Sequence, residues 1–444
     1  MAVGAGRDHP GEDRLSDLDD DLLREIISRL PITDAARTTT LASRWRHLWH
    51  STPLVLDDTD LPETTRAAAV DCILSGHPGP FHAVRLYNCS FGPQDQELGE
   101  WLRLLAAKGT RQLFLFNQDG QPSLRLPADF FRCSSLQSLA LCSWTFPDEH
   151  LPGIFPNLRK LAMSRVSMTD LHFDHLLAAS PVLEAAVVDL PLLERIYLRS
   201  QSVRCVLLGI SVMTLEVAVV DVPQLQRLFL FWLHRAAGGL YHVRLRIACA
   251  PNLRVLGCLD PGVHKLQIGD NNIEPNTMAS PSTVVPGVKI LALKVNFGIF
   301  RQVNMLVSFL RCFPHVDTLH IESVLYDPSV AAAEPTTEHH ANFWQKISPV
   351  ECLRSCVKKM VFHRFQGDQN KFEFLKFMAR DAGELQSLLV LPHEADKVNE
   401  MIDKIGCPRF RAWAFRVLLV LLGAEKDWRI CVGNSVAASL ANFG

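Results

Sequence analysis

A short apolar pattern returns along most of this chain and limits the folds that the chain can adopt. In each copy, one apolar residue is followed three and five positions later by two more. Copies begin at Phe81, Leu136, Leu158, Leu183, Val203, Leu225, Leu253, Val263, Val288 and Val316, with a weaker copy led by Thr110. Because neighbouring side chains of a strand point to opposite faces, the last two apolar positions of a copy share one face. The pattern therefore predicts a series of short strands, each with one buried face.

The spacing of the copies indicates how these strands are arranged. From Leu136 to Leu253, successive copies start 22, 25, 20, 22 and 28 residues apart, by subtraction of the positions. Leucine-rich repeats recur every 20 to 29 residues or so, and each needs its neighbours to bury its apolar face. We therefore predict an irregular leucine-rich-repeat solenoid with a parallel sheet over residues 81–326. The copy at Val263 starts only ten residues after the one at Leu253, so one of these two is not a full repeat. An ordinary α/β domain with short strands is the alternative.

Residues 13–50 have the pattern of three short helices. The first is predicted to carry one apolar stripe, and three aspartates, Asp19 to Asp21, sit at its positive dipole end. Pro31 ends this helix, and Thr33 is predicted to cap the second. The third helix is predicted from Ser43 to Trp49. The apolar residues assigned to the first helix are Leu18, Leu22, Leu23, Ile26, Ile27 and Leu30, and those assigned to the third are Leu41, Trp45, Leu48 and Trp49.

This stretch closely resembles the plant F-box motif. The matching segments are Leu-Ser-Asp-Leu at residues 15–18, the run at 26–31, Asp-Ala-Ala-Arg-Thr at 34–38 and Leu-Ala-Ser-Arg-Trp-Arg-His-Leu-Trp at 41–49. The motif usually has proline where this chain has Asp19, which also suits a first helical turn. The resemblance implies docking on the SKP-type adaptor of an SCF cullin–RING ubiquitin ligase. The residues expected to make this contact, or to hold the helices that make it, are Leu18, Leu22, Ile26, Leu30, Pro31, Leu41 and Trp45. The alternative is that Trp45 and Trp49 pack on the rest of the chain.

Four further regions lie before or after the predicted repeats. Residues 51–80 form a bridging segment, with a strand near 53–56 and a helix over 64–75 that turns Ala69, Cys72 and Ile73 inward. Residues 327–350 read as a linker, in which the adjacent His339 and His340 are more typical of exposed side chains than of a metal site. Residues 351–422 contain a strand from Leu353 to Phe362, an amphipathic helix near 372–379 and a strand near 385–390, and they resemble the FBD domain. Phe372, Phe374 and Phe377 of that helix are assigned to its core. Residues 423–444 form a tail without a recognisable motif.

Composition excludes several classes of function. The formal net charge is −2 and the sequence pI is about 6.8, which argues against a general nucleic-acid binder. The 12 cysteines are scattered and no Cys-x-x-Cys pair occurs, so no zinc site is expected. The segment before Asp13 is polar and unlike a signal peptide, and the apolar run at residues 417–422 is too short to span a bilayer. We expect reduced cysteines, no membrane partner and a cytoplasmic or nuclear location.

No catalytic constellation stands out. The sequence lacks Gly-x-Ser-x-Gly, both glycine-rich phosphate or dinucleotide motifs and His-Glu-x-x-His. We therefore expect no enzyme activity and no cofactor. Two classes of function remain: a non-catalytic ubiquitin-ligase adaptor that holds a target protein on its repeats, and a leucine-rich-repeat interaction protein without a ligase role.

A surface for that target is predicted from strand alternation. If Leu113, Leu115, Leu228 and Leu230 face inward, their neighbours Phe114, Phe116, Phe229 and Phe231 face outward. Large exposed aromatics favour a partner. The alternatives are that the C-terminal unit covers these rings, or that the strand register differs by one residue.

Overall fold

The computed structural model describes residue 15 and residues 17–92, 96–117, 124–147, 155–232, 242–324, 343–365 and 367–392. The chain divides into two units, residues 1–147 and residues 148–444. Both are α/β in character, as predicted. Among the helices in the described ranges, none is long and apolar enough to cross a membrane.

The first unit begins with the three predicted helices, α1 (Asp20–Arg29), α2 (Ile32–Arg37) and α3 (Ser43–Ser51). Asp19 caps α1 by accepting the backbone N–H of Leu22 at 2.8 Å. Pro31 separates α1 from α2 and itself precedes the first residue of α2, so Thr33 lies inside that helix and the predicted cap is wrong.

The apolar residues of α1 do not form one stripe, contrary to the prediction. Leu23 and Ile27 are fully buried, whereas Leu22 and Ile26 are exposed. Adjacent residues of a helix are about 100° apart around its axis, so a core on one side can bury only one member of each pair. The remaining apolar residues are left on a second, exposed face.

A parallel sheet follows the helices in the first unit. Its strands are β1 (Leu54–Asp57), β2 (Phe81–Leu86), β3 (Gln112–Phe116) and β4 (Ser138–Cys142), paired in chain order. Helix α4 (Arg66–Gly76) connects β1 to β2, and α5 (Gln96–Ala107) connects β2 to β3. Helix α4 buries Val70 and Leu74, while Cys72 is exposed. The predicted inward face of α4 is therefore wrong for Cys72, whereas Ala69 and Ile73 are half-buried beside the buried pair.

The second unit contains most of the predicted repeat strands and additional ones between them. In chain order its elements up to residue 324 are β5 (Lys160–Ser164), α6 (Asp170–Ala178), β6 (Ala185–Asp189), β7 (Arg195–Arg199), β8 (Cys205–Ile210), β9 (Glu216–Asp221), β10 (Arg227–Trp232), β11 (Val243–Ile247), β12 (Val255–Leu259), β13 (His264–Ile268), β14 (Asn271–Asn272), β15 (Ile290–Val295), α7 (Phe300–Cys312) and β16 (Thr318–Ser323). They are followed by α8 (Glu351–Ser355), β17 (Lys359–Phe365), α9 (Gln369–Asp381) and β18 (Ser387–Pro392).

These strands form two sheets. One has the parallel order β5-β6-β8-β10-β12-β15-β16-β17-β18 within this unit, and the five-stranded sheet has the order β14-β13-β11-β9-β7. From β6 to β13 the chain alternates between the sheets, so each coil contributes one strand to each. This arrangement confirms the predicted repeats with a parallel sheet. It also explains the short step to Val263, because that copy leads into β13 of the second sheet, which was not predicted.

The C-terminal segment extends the same parallel sheet. Strand β17 pairs with β16, and β18 pairs with β17. The strand predicted from Leu353 begins only at Lys359, because Leu353 lies in α8. Phe374 of α9 is buried and packs 5.2 Å, ring centre to ring centre, from Phe297. Phe372 and Phe377 are also buried, so the aromatic residues of α9 are core residues as predicted. His339, His340 and residues 393–444 lie outside the described ranges.

Candidate functional site

The helices of the first unit present an exposed apolar surface, which we call the leucine face. It consists of Leu15, Leu22, Ile26 and Leu41, whose exposed fractions are 50%, 51%, 36% and 63%. The same helices bury a separate set of apolar residues, Leu23, Ile27, Ile32, Ala35, Trp45 and Leu48. The three helices therefore have a satisfied core and, in addition, apolar area that faces solvent.

Polar contacts at the amino ends of α1 and α3 hold this surface together. The Nε of Arg44 donates to Oδ1 of Asp20 at 2.8 Å, and its Nη2 donates to the carbonyl of Leu18 at 2.6 Å. Leu41 lies three residues before Arg44. The contacts therefore bring the segment that carries Leu41 to the end of α1 that precedes Leu22.

The residues predicted for adaptor binding fall into three groups by exposure in the structure. Leu22, Ile26, Pro31 and Leu41 are exposed, Leu18 and Leu30 are half-buried, and Trp45 is buried at 5% exposure. An exposed residue is available to a partner, whereas Trp45 supports the helices from inside. Burial of Trp45 agrees with the expectation that some of these residues hold the helices that make the contact.

In β3, side chains alternate between the two faces of the sheet as predicted, but Phe114 is less exposed than predicted. Leu113 and Leu115 are fully buried and Phe114 points to the opposite face, yet Phe114 is only 3% exposed. The guanidinium of Arg85 lies 5.5 Å from the centre of the Phe114 ring. The expectation of a fully exposed aromatic is thus wrong for Phe114. Phe116 is half-buried beside the ring of Tyr87, at 5.2 Å between ring centres.

Phe229 and Phe231 of β10 are also half-buried and lie opposite the buried Leu228 and Leu230. In the neighbouring strand β12, Gly257 pairs with Phe229. A Cβ at Gly257 would lie 3.3 Å from Cδ1 of the Phe229 ring. The missing side chain therefore leaves room for the ring. The one-residue shift of register is excluded for this strand.

Several thiol and imidazole groups of the described residues have pKa values shifted in the direction that burial in a protein core causes. Burial raises the pKa of the Cys133, Cys312 and Cys352 thiols to about 12 each. Burial also lowers the pKa of His77 to about 4, and those of His264 and His320 to about 3. These thiols are protonated and these imidazoles neutral near pH 7. Within the described ranges, no group of three or more His, Cys, Asp or Glu residues is arranged to hold a metal ion.

Sequence reasoning missed the outer face of the five-stranded sheet. Strands β7 and β11 read Arg-Ile-Tyr-Leu-Arg and Val-Arg-Leu-Arg-Ile, in which buried apolar residues alternate with cations. This alternation is the usual signal of a half-exposed strand. The pattern that marks the first sheet, in which an apolar residue is followed three and five positions later by two more, does not detect strands of this kind.

Comparison with known families accounts for most of the chain. A model of the F-box domain matches residues 15–56, and a model of the FBD matches residues 345–389. A third model, described as FBD-associated F-box protein At5g56370, LRR repeats, matches residues 98–321, which is half of the chain. The chain belongs to this plant family of F-box, leucine-rich-repeat and FBD proteins. Its F-box is the part that carries the leucine face.

Individual relatives in this F-box family come from Arabidopsis thaliana. The F-box/FBD/LRR-repeat protein At1g13570 is 32% identical over 182 residues, which cover 39% of this chain and 43% of that protein. The F-box/LRR-repeat protein At3g26922 is 31% identical over 185 residues, 40% of this chain and 60% of that protein. F-box/LRR-repeat protein 13 is 29% identical over 201 residues, 43% and 44% respectively. The chain thus spans roughly half the length of the relatives that it matches.

Proposed function

We propose that this chain is the substrate-recognition subunit of an SCF-type cullin–RING ubiquitin ligase. The observation that carries the proposal is the leucine face, where Leu22, Ile26 and Leu41 remain exposed on helices whose core is already complete. Contiguous exposed apolar area on a surface is typical of a protein–protein interface. In an F-box, the partner for such an interface is the SKP-type adaptor.

In this proposal the repeats hold the target protein and the chain itself does no chemistry. Its contribution is to position the target near the conjugating enzyme, which raises the effective concentration of the reacting groups. Ubiquitin transfer would then require the adaptor, the cullin and the RING partner. None of the described cysteines forms a disulfide.

The test is binding of the full chain to a purified SKP-type adaptor. We expect Leu22→Ser with Ile26→Ser to weaken binding about thirtyfold or more, because truncation of a single apolar anchor at an interface can cost about 2 kcal/mol. Stability should change little, since both side chains are exposed. Leu171→Ser with Met278→Ser is the matched control, because these residues are also exposed but lie in the second unit.

Two results would contradict the proposal. If the unmodified chain does not bind the adaptor, the chain is instead a leucine-rich-repeat interaction protein without a ligase role. If the Leu22 and Ile26 variant binds as tightly as the unmodified chain, the leucine face is not the docking surface.

A further inference from the structure

A row of charged side chains crosses the outer face of the five-stranded sheet. Arg195 of β7 pairs in register with Glu216 of β9, Glu216 with Arg244 of β11, and Arg244 with Lys265 of β13. The residues next to them point the other way and are buried, namely Ile196, Val217, Leu245 and Leu266. The four charged groups therefore lie side by side on one surface, which we call the basic row.

The charges of the basic row are not balanced within the described part of the chain. Glu216 is already engaged, since its carboxylate lies 3.8 Å from Nε of Arg246 and 3.5 Å from the hydroxyl of Tyr197. Arg195, Arg244 and Lys265 form no ion pair or side-chain hydrogen bond with any described residue. Neighbouring strands are about 4.8 Å apart, and like charges directly opposite one another are destabilising. A bound anion would relieve this repulsion between Arg244 and Lys265.

The basic row also forms one wall of a cleft. This cleft has a volume of about 240 Å³ and is lined by Arg195, Leu215, Glu216, His242, Arg244 and Lys265. Burial, and then the charges of Lys265 and Arg301, lower the pKa of His242. The effect of these cations on His242 indicates a positive potential in the cleft. The size suits a single phosphate-sized group with its neighbours better than an extended strand of nucleic acid.

Apolar side chains line the edge of the sheet next to the basic row. Leu215 immediately precedes β9, and Leu192 and Met213 each lie three residues before the start of β7 and β9. All three are exposed. A polynucleotide or a free inorganic anion would gain nothing from these aliphatic groups. A polypeptide that carries both an anionic group and apolar side chains would use both parts of the surface.

We propose that this cleft binds a phosphorylated segment of a partner protein. The phosphate is held between the neighbouring Arg244 and Lys265, with Arg195 on the far side of Glu216, because guanidinium groups bind phosphate through two parallel hydrogen bonds. An apolar residue next to the phosphorylated position packs on Leu215 and its neighbours. That the partner is a ubiquitination target rests on the proposed function, whereas the binding itself needs no adaptor.

The test uses the full chain and a fluorescent pool of peptides with a central phosphoserine between random residues. A matched pool contains unmodified serine, and a short single-stranded oligothymidylate serves as a second polyanion. We expect the phosphoserine pool to bind about tenfold more tightly than the unmodified pool, as removal of a charge-assisted contact usually costs that factor or more. We expect it also to bind more tightly than the oligothymidylate.

Variants distinguish binding in the cleft from general electrostatic attraction to the protein. Arg195→Gln, Arg244→Gln and Lys265→Gln together should weaken phosphopeptide binding about tenfold or more. The matched control, Arg204→Gln with Arg254→Gln and Lys289→Gln, removes the same charge from exposed positions of the other sheet and should change binding about twofold at most. If the triple variant melts at a lower temperature than the unmodified chain, the phosphopeptide affinity of the single variant Lys265→Gln is compared instead.

Three outcomes would overturn the proposal: equal binding of the two peptide pools, equal loss in both triple variants, or tighter binding of the oligothymidylate. Failure of adaptor binding would leave the peptide result unchanged. The two proposals therefore fail separately.

Discussion

Arg44 of α3 donates from its Nε to Oδ1 of Asp20 at the start of α1, at 2.8 Å. Both side chains are partly exposed, at 39% and 48%. An ion pair in such a position stabilises a protein by only about 0–1 kcal/mol, because water screens it. Its main consequence is therefore geometric, since it orients Leu41 relative to the exposed face of α1.

The geometric role of this ion pair can be separated from stability. Arg44→Gln should lower the free energy of unfolding by less than about 1 kcal/mol and weaken adaptor binding several-fold. Denaturant unfolding and titration calorimetry with the adaptor measure the two effects. The control is Arg37→Gln, which removes an ion pair with Asp34 inside α2 and should change neither quantity. Unchanged adaptor affinity in the Arg44 variant would refute the orienting role.

Asp58 is fully buried just after β1 and forms hydrogen bonds to the segment that follows β2. Its carboxylate accepts the backbone N–H groups of Tyr87, Asn88 and Cys89 at 2.9, 2.7 and 2.9 Å. Asp58→Ala removes the acceptor of three backbone N–H groups, one buried and two part-buried, and should destabilise the first unit by about 3 kcal/mol. Urea unfolding followed by tryptophan fluorescence measures this change. Asp60→Ala, at a nearby exposed position, should have no measurable effect, and equal effects of the two variants would contradict this account.

His264 makes the second unit sensitive to acid. Burial lowers its pKa to about 3, and its Nδ1 accepts the backbone N–H of Asp260 at 2.8 Å. An unfolded histidine has a pKa near 6.5, so the unfolded chain binds a proton below that pH and the folded chain does not. The contribution of His264 to stability is complete above about pH 6.5 and falls progressively toward pH 3, with about 2 kcal/mol lost by pH 5.

The acid sensitivity is tested with His264→Gln, which retains an acceptor for Asp260 but cannot take up a proton. The free energy of unfolding should fall less between pH 7.5 and pH 5 in this variant than in the unmodified chain, by about 2 kcal/mol. His315→Gln, at an exposed position, is the matched control for the substitution itself. An unaltered slope for His264→Gln would show that this residue is not responsible.

The two strands with outward phenylalanines should respond differently to substitution. Phe114 is almost fully buried, so Phe114→Ser should destabilise the protein by about 3 kcal/mol or more. Phe231 is half-buried, and Phe231→Ser should cost clearly less, with Phe229→Ser between the two because of its contact with the Gly257 position. Thermal and urea unfolding of the three variants decide this order. If Phe231→Ser costs as much as Phe114→Ser, Phe231 is a core residue and its proposed role in target binding fails.

The sequence predicts the strands of one sheet well, but of the other sheet it indicates only β13, through the copy that starts at Val263. Strands such as β5 and β6 carry apolar residues at fixed offsets after Pro156 and Pro181, and this pattern locates them within two residues. In β7 and β11, by contrast, Arg195 and Arg244 alternate with single apolar residues. Such short alternating segments also occur in surface loops, so only their parallel pairing with β9 distinguishes them as a sheet.

The helices of the first unit show a different limit of sequence reasoning. Their existence and bounds are predictable from capping residues and prolines, such as Asp19 and Pro31. Leu22 and Leu23 are equally apolar, however, so composition does not tell which one faces the core. Packing of α1 on β1 decides this and leaves Leu22 outside. The leucine face is thus a product of tertiary structure.

The pairing of β17 with β16 has a consequence for how this chain can be divided. The N–H and C=O groups of β16 are bonded to β17 through five residue pairs, from Thr318 with Lys359 to Glu322 with His363. A chain truncated before Glu351 would keep its repeats but present β16 as an unpaired edge, and open edges of this kind recruit strands from other molecules. The FBD segment therefore moves the edge of this sheet from β16 to β18 within the described residues, and its removal changes which strand is open to other molecules.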